Sequence, residues 1–172
     1  MKMINKNKAK NAGFTLIELI ATVSIATILA SIAVPSFSKM IERNRITTGT
    51  NELISSLILA RSEALKRSIN VSLCASNNDT NCNANDFSEG WIVFVDCGSD
   101  GVINNNGCPA GITDVAIKVH EPVRGMAITK NGPASYYGYN FAGRGAANTF
   151  TITPNSGRPA TTFSVSRTGR IR

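Results

Sequence analysis

The sequence predicts an α+β protein: one long amino-terminal helix, apolar in its first half, followed by an antiparallel β head. Two observations carry this. From Phe14 to Phe37 the chain reads FTLIELIATVSIATILASIAVPSF, with Glu18 as its only charge. From Asn70 onward the apolar residues recur with a period of two rather than three or four, between breaks rich in Asn, Gly and Pro. A chain of 172 residues holds one good core plus an accessory segment.

The amino-terminal stretch holds Lys2, Lys6, Lys8 and Lys10 and no acid. The apolar run behind it spans about 36 Å as a helix, enough to cross a hydrocarbon layer of about 30 Å. It is too long for the core of a secretory signal peptide, and no A-x-A site closes it. Taken alone, it describes an uncleaved single-pass signal anchor, with the lysines on the cytoplasmic side. Glu18 is the anomaly. A carboxylate at bilayer depth costs roughly 2.5–3.5 kcal/mol and needs a partner, although the first turn of a helix favours negative charge.

Helical patterning continues beyond the anchor. Leu53, Leu57 and Ala64, with Ile54, Ile58 and Leu65 beside them, recur at three- and four-residue steps and mark a stripe for core packing. Residues 14–38 are therefore expected as the transmembrane segment, and 39–68 as an amphipathic second half. Pro35 and the Thr-Thr-Gly-Thr cluster at 47–50 are the places where a bend or melted turn is expected. Strands are expected at 71–74, 91–95, 115–120, 126–129, 136–141, 149–153 and 163–167, making 69–172 the head. Val115, Ile117 and Val119 alternate, as do Phe150 and Ile152.

Cys74, Cys82, Cys97 and Cys108 form an even set in a membrane-tethered head, which points to an oxidising compartment and two disulfides. Local closure favours Cys74–Cys82 with Cys97–Cys108, but the other two connectivities stay open. A zinc site fits poorly, because no C-x2-C pair exists and His120, the only histidine, is distant in sequence.

Two sets of residues carry a resemblance. Lys10-Asn-Ala-Gly13 followed by Phe14-Thr-Leu-Ile-Glu18-Leu resembles the prepilin processing site of type IV pilins and type II secretion pseudopilins. LILARSEALKRSINVSLC (57–74), GWIVFVD (90–96) and the closing SVSRTGRIR are similar to the family joining the type II secretion pseudopilin H and the minor fimbrial pilin T (GspH/FimT). The resemblance implies a type IV pilin-like fold. It also implies cleavage of a 1–13 leader by prepilin peptidase after Gly13, N-methylation of Phe14, and assembly with other pilin or pseudopilin subunits. Glu18 becomes the fifth residue of the mature chain, where its carboxylate can pair with a Phe14 amine, its own or a neighbour's. Pro35 falls where such helices often carry a kinking proline.

No catalytic constellation, phosphate loop, cofactor motif or metal-binding His pair is present, so no enzyme, cofactor or metal is expected. His120 reads as a surface or packed histidine. DCGSDGVINNNG (96–107) starts like a calcium loop at Asp96, Asp100 and Gly101, but Gly98 and Gly107 replace a ligand and the closing glutamate.

The charge distribution is more informative than the net +7. Residues 76–121 hold all the acids of the β region, whereas from Pro122 to the end there are Arg124, Lys130, Arg144, Arg158, Arg167, Arg170 and Arg172 and no acid. Gly143-Arg144, Gly157-Arg158 and Gly169-Arg170 place arginines beside turn-forming glycines. Arg170 and Arg172 share a face if the tail is extended. Guanidinium groups match phosphate oxygens, so Arg144, Arg158, Arg167, Arg170 and Arg172 are the candidates for sequence-independent binding of double-stranded DNA. Tyr136, Tyr137 and Tyr139 are candidates for stacking or for structural use. The expected role is a minor pilin that takes up DNA in natural transformation and supports pilus biogenesis at the cell surface. The alternatives are a pseudopilin H subunit contacting protein substrates and an assembly primer with no ligand.

Overall fold

The structure, a computed structural model, describes residues 13–132 and 135–172, with the backbone alone at residue 35. The leader expected at 1–13, with its four lysines, lies outside the described residues except for Gly13. The chain divides into two compact units, Met1–Ile41 and Glu42–Arg172, each taken by itself below.

A single helix, α1 (Leu16–Arg67), precedes all the strands. In the first unit its apolar side chains are exposed on all sides, from Leu16 and Ile17 through Ile28 and Leu29 to Phe37. Such a surface belongs in lipid or against other helices. The hydroxyls in this stretch bond back to the helix itself: Thr22 to the Leu19 carbonyl, Ser24 to Ile20, Thr27 to Val23, Ser31 to Ile28 and Ser38 to Val34. The donors are thereby satisfied without water.

In the second unit α1 carries the core stripe. Leu53, Leu57, Ala60 and Ala64 are fully buried. Ile54 packs at the margin of the core, while Ile58 and Leu65 are 57% and 49% exposed, so the stripe is narrower than the sequence suggests. The melted turn expected at 47–50 does not occur. Thr50 Oγ1 donates to the Ile46 carbonyl at 2.7 Å, and Gly49 is buried. A Cβ at Gly49 would lie 2.8 Å from Val123 Cγ1, so this glycine serves the close approach of the chain entering the second sheet. Pro35 also lies within α1 rather than at its end. The helix stops at Ser68, whose φ of 52° is left-handed, and Ile69 N–H returns to the Ala64 carbonyl at 3.3 Å.

All seven expected strands are present: β1 (Val71–Ala75), β2 (Trp91–Val95), β3 (Ala116–His120), β4 (Met126–Lys130), β5 (Tyr136–Tyr139), β6 (Asn148–Pro154) and β7 (Thr161–Val165). They make two antiparallel sheets, of order β3-β2-β1-β5 and β4-β6-β7. One core joins the α1 stripe to Val71, Leu73, Trp91 and Val93 of the first sheet and to Ile128, Phe150, Ile152 and Phe163 of the second. The alternation of Val115, Ile117 and Val119 does not mark a buried face. A bulge in the β2–β3 register, between Val93 opposite Lys118 and Phe94 opposite Ala116, skips Ile117, which packs at the margin of the core, while Val115 and Val119 are exposed. β3 is an edge strand, and Lys118 on it discourages further pairing.

The disulfides are Cys74–Cys82 and Cys97–Cys108. They anchor the two long loops that follow β1 and β2. Those loops cover the outer face of the first sheet, where Cys74, Ile92 and Phe94 pack with Cys82, Ile103 and Tyr136. β1 and β2 are consequently buried on both faces.

Two consequences are measurable. Gly49→Leu will lower the thermal midpoint, because overpacking costs about 1–3 kcal/mol against a helix-propensity gain of about 1 kcal/mol. Replacing Cys97 and Cys108 together by Ser will cost about 2–3 kcal/mol from loop-closure entropy, readable as a lower denaturant midpoint.

Candidate nucleic-acid interface

The three Gly-Arg pairs all form the turns that glycine permits: Gly143, Gly157 and Gly169 have φ of 68°, 77° and 75°. The Arg144 turn closes when Asn140 N–H donates to the Arg144 carbonyl at 2.8 Å, and Asn140 Oδ1 accepts from the N–H groups of Ala142 and Arg144. The tail turn closes through Gly169 N–H to the Ser166 carbonyl and Ser166 N–H to the Arg170 carbonyl. Gly145 N–H then donates to the Arg167 carbonyl at 3.2 Å, which ties the two turns together.

Both turns rest on Arg61 of α1. Arg61 Nε donates to the Gly143 carbonyl at 3.1 Å, and a Cβ at Gly169 would fall 2.6 Å from Arg61 Cδ. Beyond the turn the tail pairs with β7: Ser164 and Arg172 exchange both backbone hydrogen bonds at 2.9 Å. Ile171 packs on the core, while Arg170 and Arg172 are exposed. The shared face expected for these two arginines is thus built by strand pairing.

Arg158 does not join this group. Its Nε lies 3.5 Å from Glu42 Oε2 in a half-buried ion pair. Among the described residues, no carboxylate comes within ion-pair range of Arg144, Arg167, Arg170 or Arg172. The helix carboxylates are engaged elsewhere: Glu52 with His120, and Glu63 with Arg67 and Lys66. The Arg67 guanidinium hydrogen-bonded to Glu63 holds that carboxyl below the usual range.

The tyrosines are structural. Tyr137 and Tyr139 are buried edge to face, with centroids 5.1 Å apart, and Tyr137 donates to the Ala146 carbonyl. Burial pushes the Tyr137 phenol up to about 12. Tyr136 lies across Gly101 on the outer face and donates to the Ser99 carbonyl. None offers a free ring for a base.

His120 is packed as expected. Its ring stacks on Trp91 at 3.8 Å, with Nε2 3.2 Å from Glu52 Oε2 and Nδ1 2.8 Å from the Glu121 carbonyl oxygen. Trp91 Nε1 in turn donates to buried Ser56 Oγ at 2.9 Å. The calcium-like loop is filled by its own donors: Asp96 accepts from Ser72 Oγ and from the N–H groups of Asp100 and Gly101. Asp114, beside Cys97 and Cys108, accepts from the N–H groups of Cys97, Asn104 and Asn105. Those two cysteines are oxidised to a disulfide, so this group does not suit a cation.

At the amino end, Gly13 and Phe14 precede the helix, and Phe14 is 79% exposed. Glu18 lies in the first turn, and its N–H donates to Thr15 Oγ1 at 3.3 Å. Thr-x-x-Glu is a capping-box sequence, a local reason for Glu18 that the apolar context obscures.

A long amino-terminal helix whose second half is packed under antiparallel sheets defines a type IV pilin-like subunit. The chain belongs to the type II transport protein GspH family, whose profile matches residues 49–169. The prokaryotic N-terminal methylation motif matches residues 8–34. The fold is similar to that of the type IV minor pilin FimU of Pseudomonas aeruginosa in space group P21: TM-score 0.55, 22% identity, 76% of this chain and 89% of that one. A second FimU structure, in space group P65, gives 0.52 at 21% identity over 73% and 90%. The minor pseudopilin EpsH of Vibrio cholerae gives 0.45 at 12% identity over 74% and 94%. No curated protein sequence matches the chain. The protein is thus a pilin-like structural subunit of the type IV pilus or type II secretion class.

Proposed function

We propose that this chain is a minor pilin that captures extracellular double-stranded DNA through Arg144, Arg167, Arg170 and Arg172, and so serves uptake in natural transformation. The observation that carries the reading is the absence, among the described residues, of any carboxylate paired with these four exposed arginines, three on turns braced together against Arg61 and Arg172 on the tail that pairs with β7. A cationic surface that the fold itself does not neutralise attracts phosphate by counterion release. The likeness in fold to FimU, a type IV minor pilin, supports the pilus rather than the secretion branch.

In this reading prepilin peptidase removes residues 1–13 and methylates Phe14, leaving 14–38 as a single inner-membrane span with the head in the periplasm. Glu18 then pairs with a Phe14 amine as the subunit joins other pilins. Its place in the Thr15-capped first turn and this pairing are compatible, since a carboxylate there lies near both the helix N-terminus and the new terminus.

The detergent-solubilised chain will bind unrelated duplexes alike in fluorescence anisotropy, with a log–log salt slope to which the four arginines contribute about −3.6. Arg170→Gln with Arg172→Gln will weaken binding and flatten that slope, whereas Arg158→Gln, which breaks only the Glu42 pair, will leave affinity unchanged. A flat salt response in the unaltered chain would instead favour a pseudopilin or assembly primer. Mass spectrometry of protein from the native host will find Phe14 as a methylated amino terminus, and Gly13→Leu will leave the leader attached.

A further inference from the structure

Lys130 is out of place for a surface lysine. It closes β4, on the same side of the strand as buried Met126 and Ile128, and stands opposite fully buried Phe150 in the register. Burial holds its ammonium below the ordinary lysine range. Its one described hydrogen bond goes to the Asn131 carbonyl at 3.0 Å, and no carboxylate among the described residues pairs with it. A half-buried cation without a counter-charge is costly unless an anion comes to it.

Space for one exists where the two sheets part. A cleft of about 430 Å³ is lined by Lys130, Asn140, Arg144 and Asn148 among others. A neighbouring cleft of about 400 Å³ is lined by Asn131, Asn148, Ser164 and Arg172 among others. Asn148 is common to both walls, and its Nδ2 shares the Asn131 carbonyl with Lys130. Among the described residues, no acidic side chain lines either cleft. Arg144 and Lys130 therefore line one cleft between β5 and the second sheet, whereas the cleft lined by Arg172 lies along β6, β7 and the tail.

We propose that the cleft between β5 and the second sheet is a seat for a phosphate group, with Lys130 as its inner contact and Arg144 beside it, and that the backbone of a bound duplex places a phosphate there. The proposal rests on the DNA-binding reading above and adds a residue outside the arginine set. Lysine suits the inner position because a compact ammonium reaches a phosphate oxygen as a point charge, whereas Arg144 can grip from the rim.

The test uses the full chain in detergent, an arbitrary duplex and inorganic tripolyphosphate as probes, and Lys130→Gln, Lys130→Met and Lys130→Arg as variants. The Met variant keeps the buried methylenes, so a folding defect is separable from a lost charge. Both neutral variants should lose about tenfold in duplex affinity and flatten the salt slope by about 0.9, with Lys130→Arg retaining most of it. Tripolyphosphate should raise the thermal midpoint of the unaltered chain and of Lys130→Arg, but not of the neutral variants. Unchanged affinity and slope in both neutral variants, while Arg170→Gln weakens binding, would overturn the seat and leave the DNA reading standing. Tripolyphosphate stabilisation that depends on Lys130, in a chain that binds no duplex, would support the seat and remove the DNA reading.

Discussion

Leu53, Leu57, Ala60 and Ala64 recur along α1 at the spacing of one helix face, and every other packed element of the head depends on them. Neither small sheet can bury its inner face alone, and both close on this one stripe. Each leucine contributes about 1.5–3 kcal/mol of transfer free energy, while the two alanines and Gly49 let the strands come close. Trp91 bonding to Ser56, and His120 facing Glu52, fix the first sheet to the same helix in rotation as well as depth. Sliding the helix by one residue would break both contacts and turn the stripe away from the sheets.

The same constraint places the basic turns. Arg61 lies on the helix one position past Ala60, at the margin of the buried stripe, where the first sheet's last strand hands over to the second. From there it holds the Gly143 carbonyl and abuts Gly169. The turns bearing Arg144, Arg167 and Arg170 are thus referred to a rigid element rather than left as loose loop tips. A cation beneath them also adds to the local positive field instead of neutralising it.

Much of this was legible from residue order, and the exceptions have physical causes. Strand positions followed turn chemistry and period-two patterning, and all seven strands form where expected. The second layer over the first sheet was less visible, although Trp-Ile-Val-Phe-Val at 91–95 breaks alternation and so announces a strand covered on both faces. Gly49 reads locally as a helix breaker, because propensity knows nothing of Val123 and Met126 arriving from far along the chain. Arg158 reads like its Gly-Arg siblings, and only tertiary structure reveals Glu42 beside it. Lys130 is one base among seven after Pro122, and an inward-facing strand end looks the same in sequence as an outward one.

The segregation of charge in the head has two separate origins. Three of the acids in the first half are consumed by the fold. Asp86 accepts from the N–H groups of Ser88 and Ile128, Asp96 holds the loop after β2, and Asp114 gathers the N–H groups of Cys97, Asn104 and Asn105. Such carboxylates stand in for backbone partners that irregular loops lack. The arginines of the second half take no comparable part. Apart from Arg158, their guanidinium groups satisfy no buried carbonyl and close no loop among the described contacts. The turns that present them are held instead by backbone hydrogen bonds and by the side chains of Asn140 and Ser166. A fold that spends its acids on internal order and holds its arginines outward acquires a positive face without needing a large net charge. On such a face the cations have no ion pair among the described residues to give up on meeting an anion.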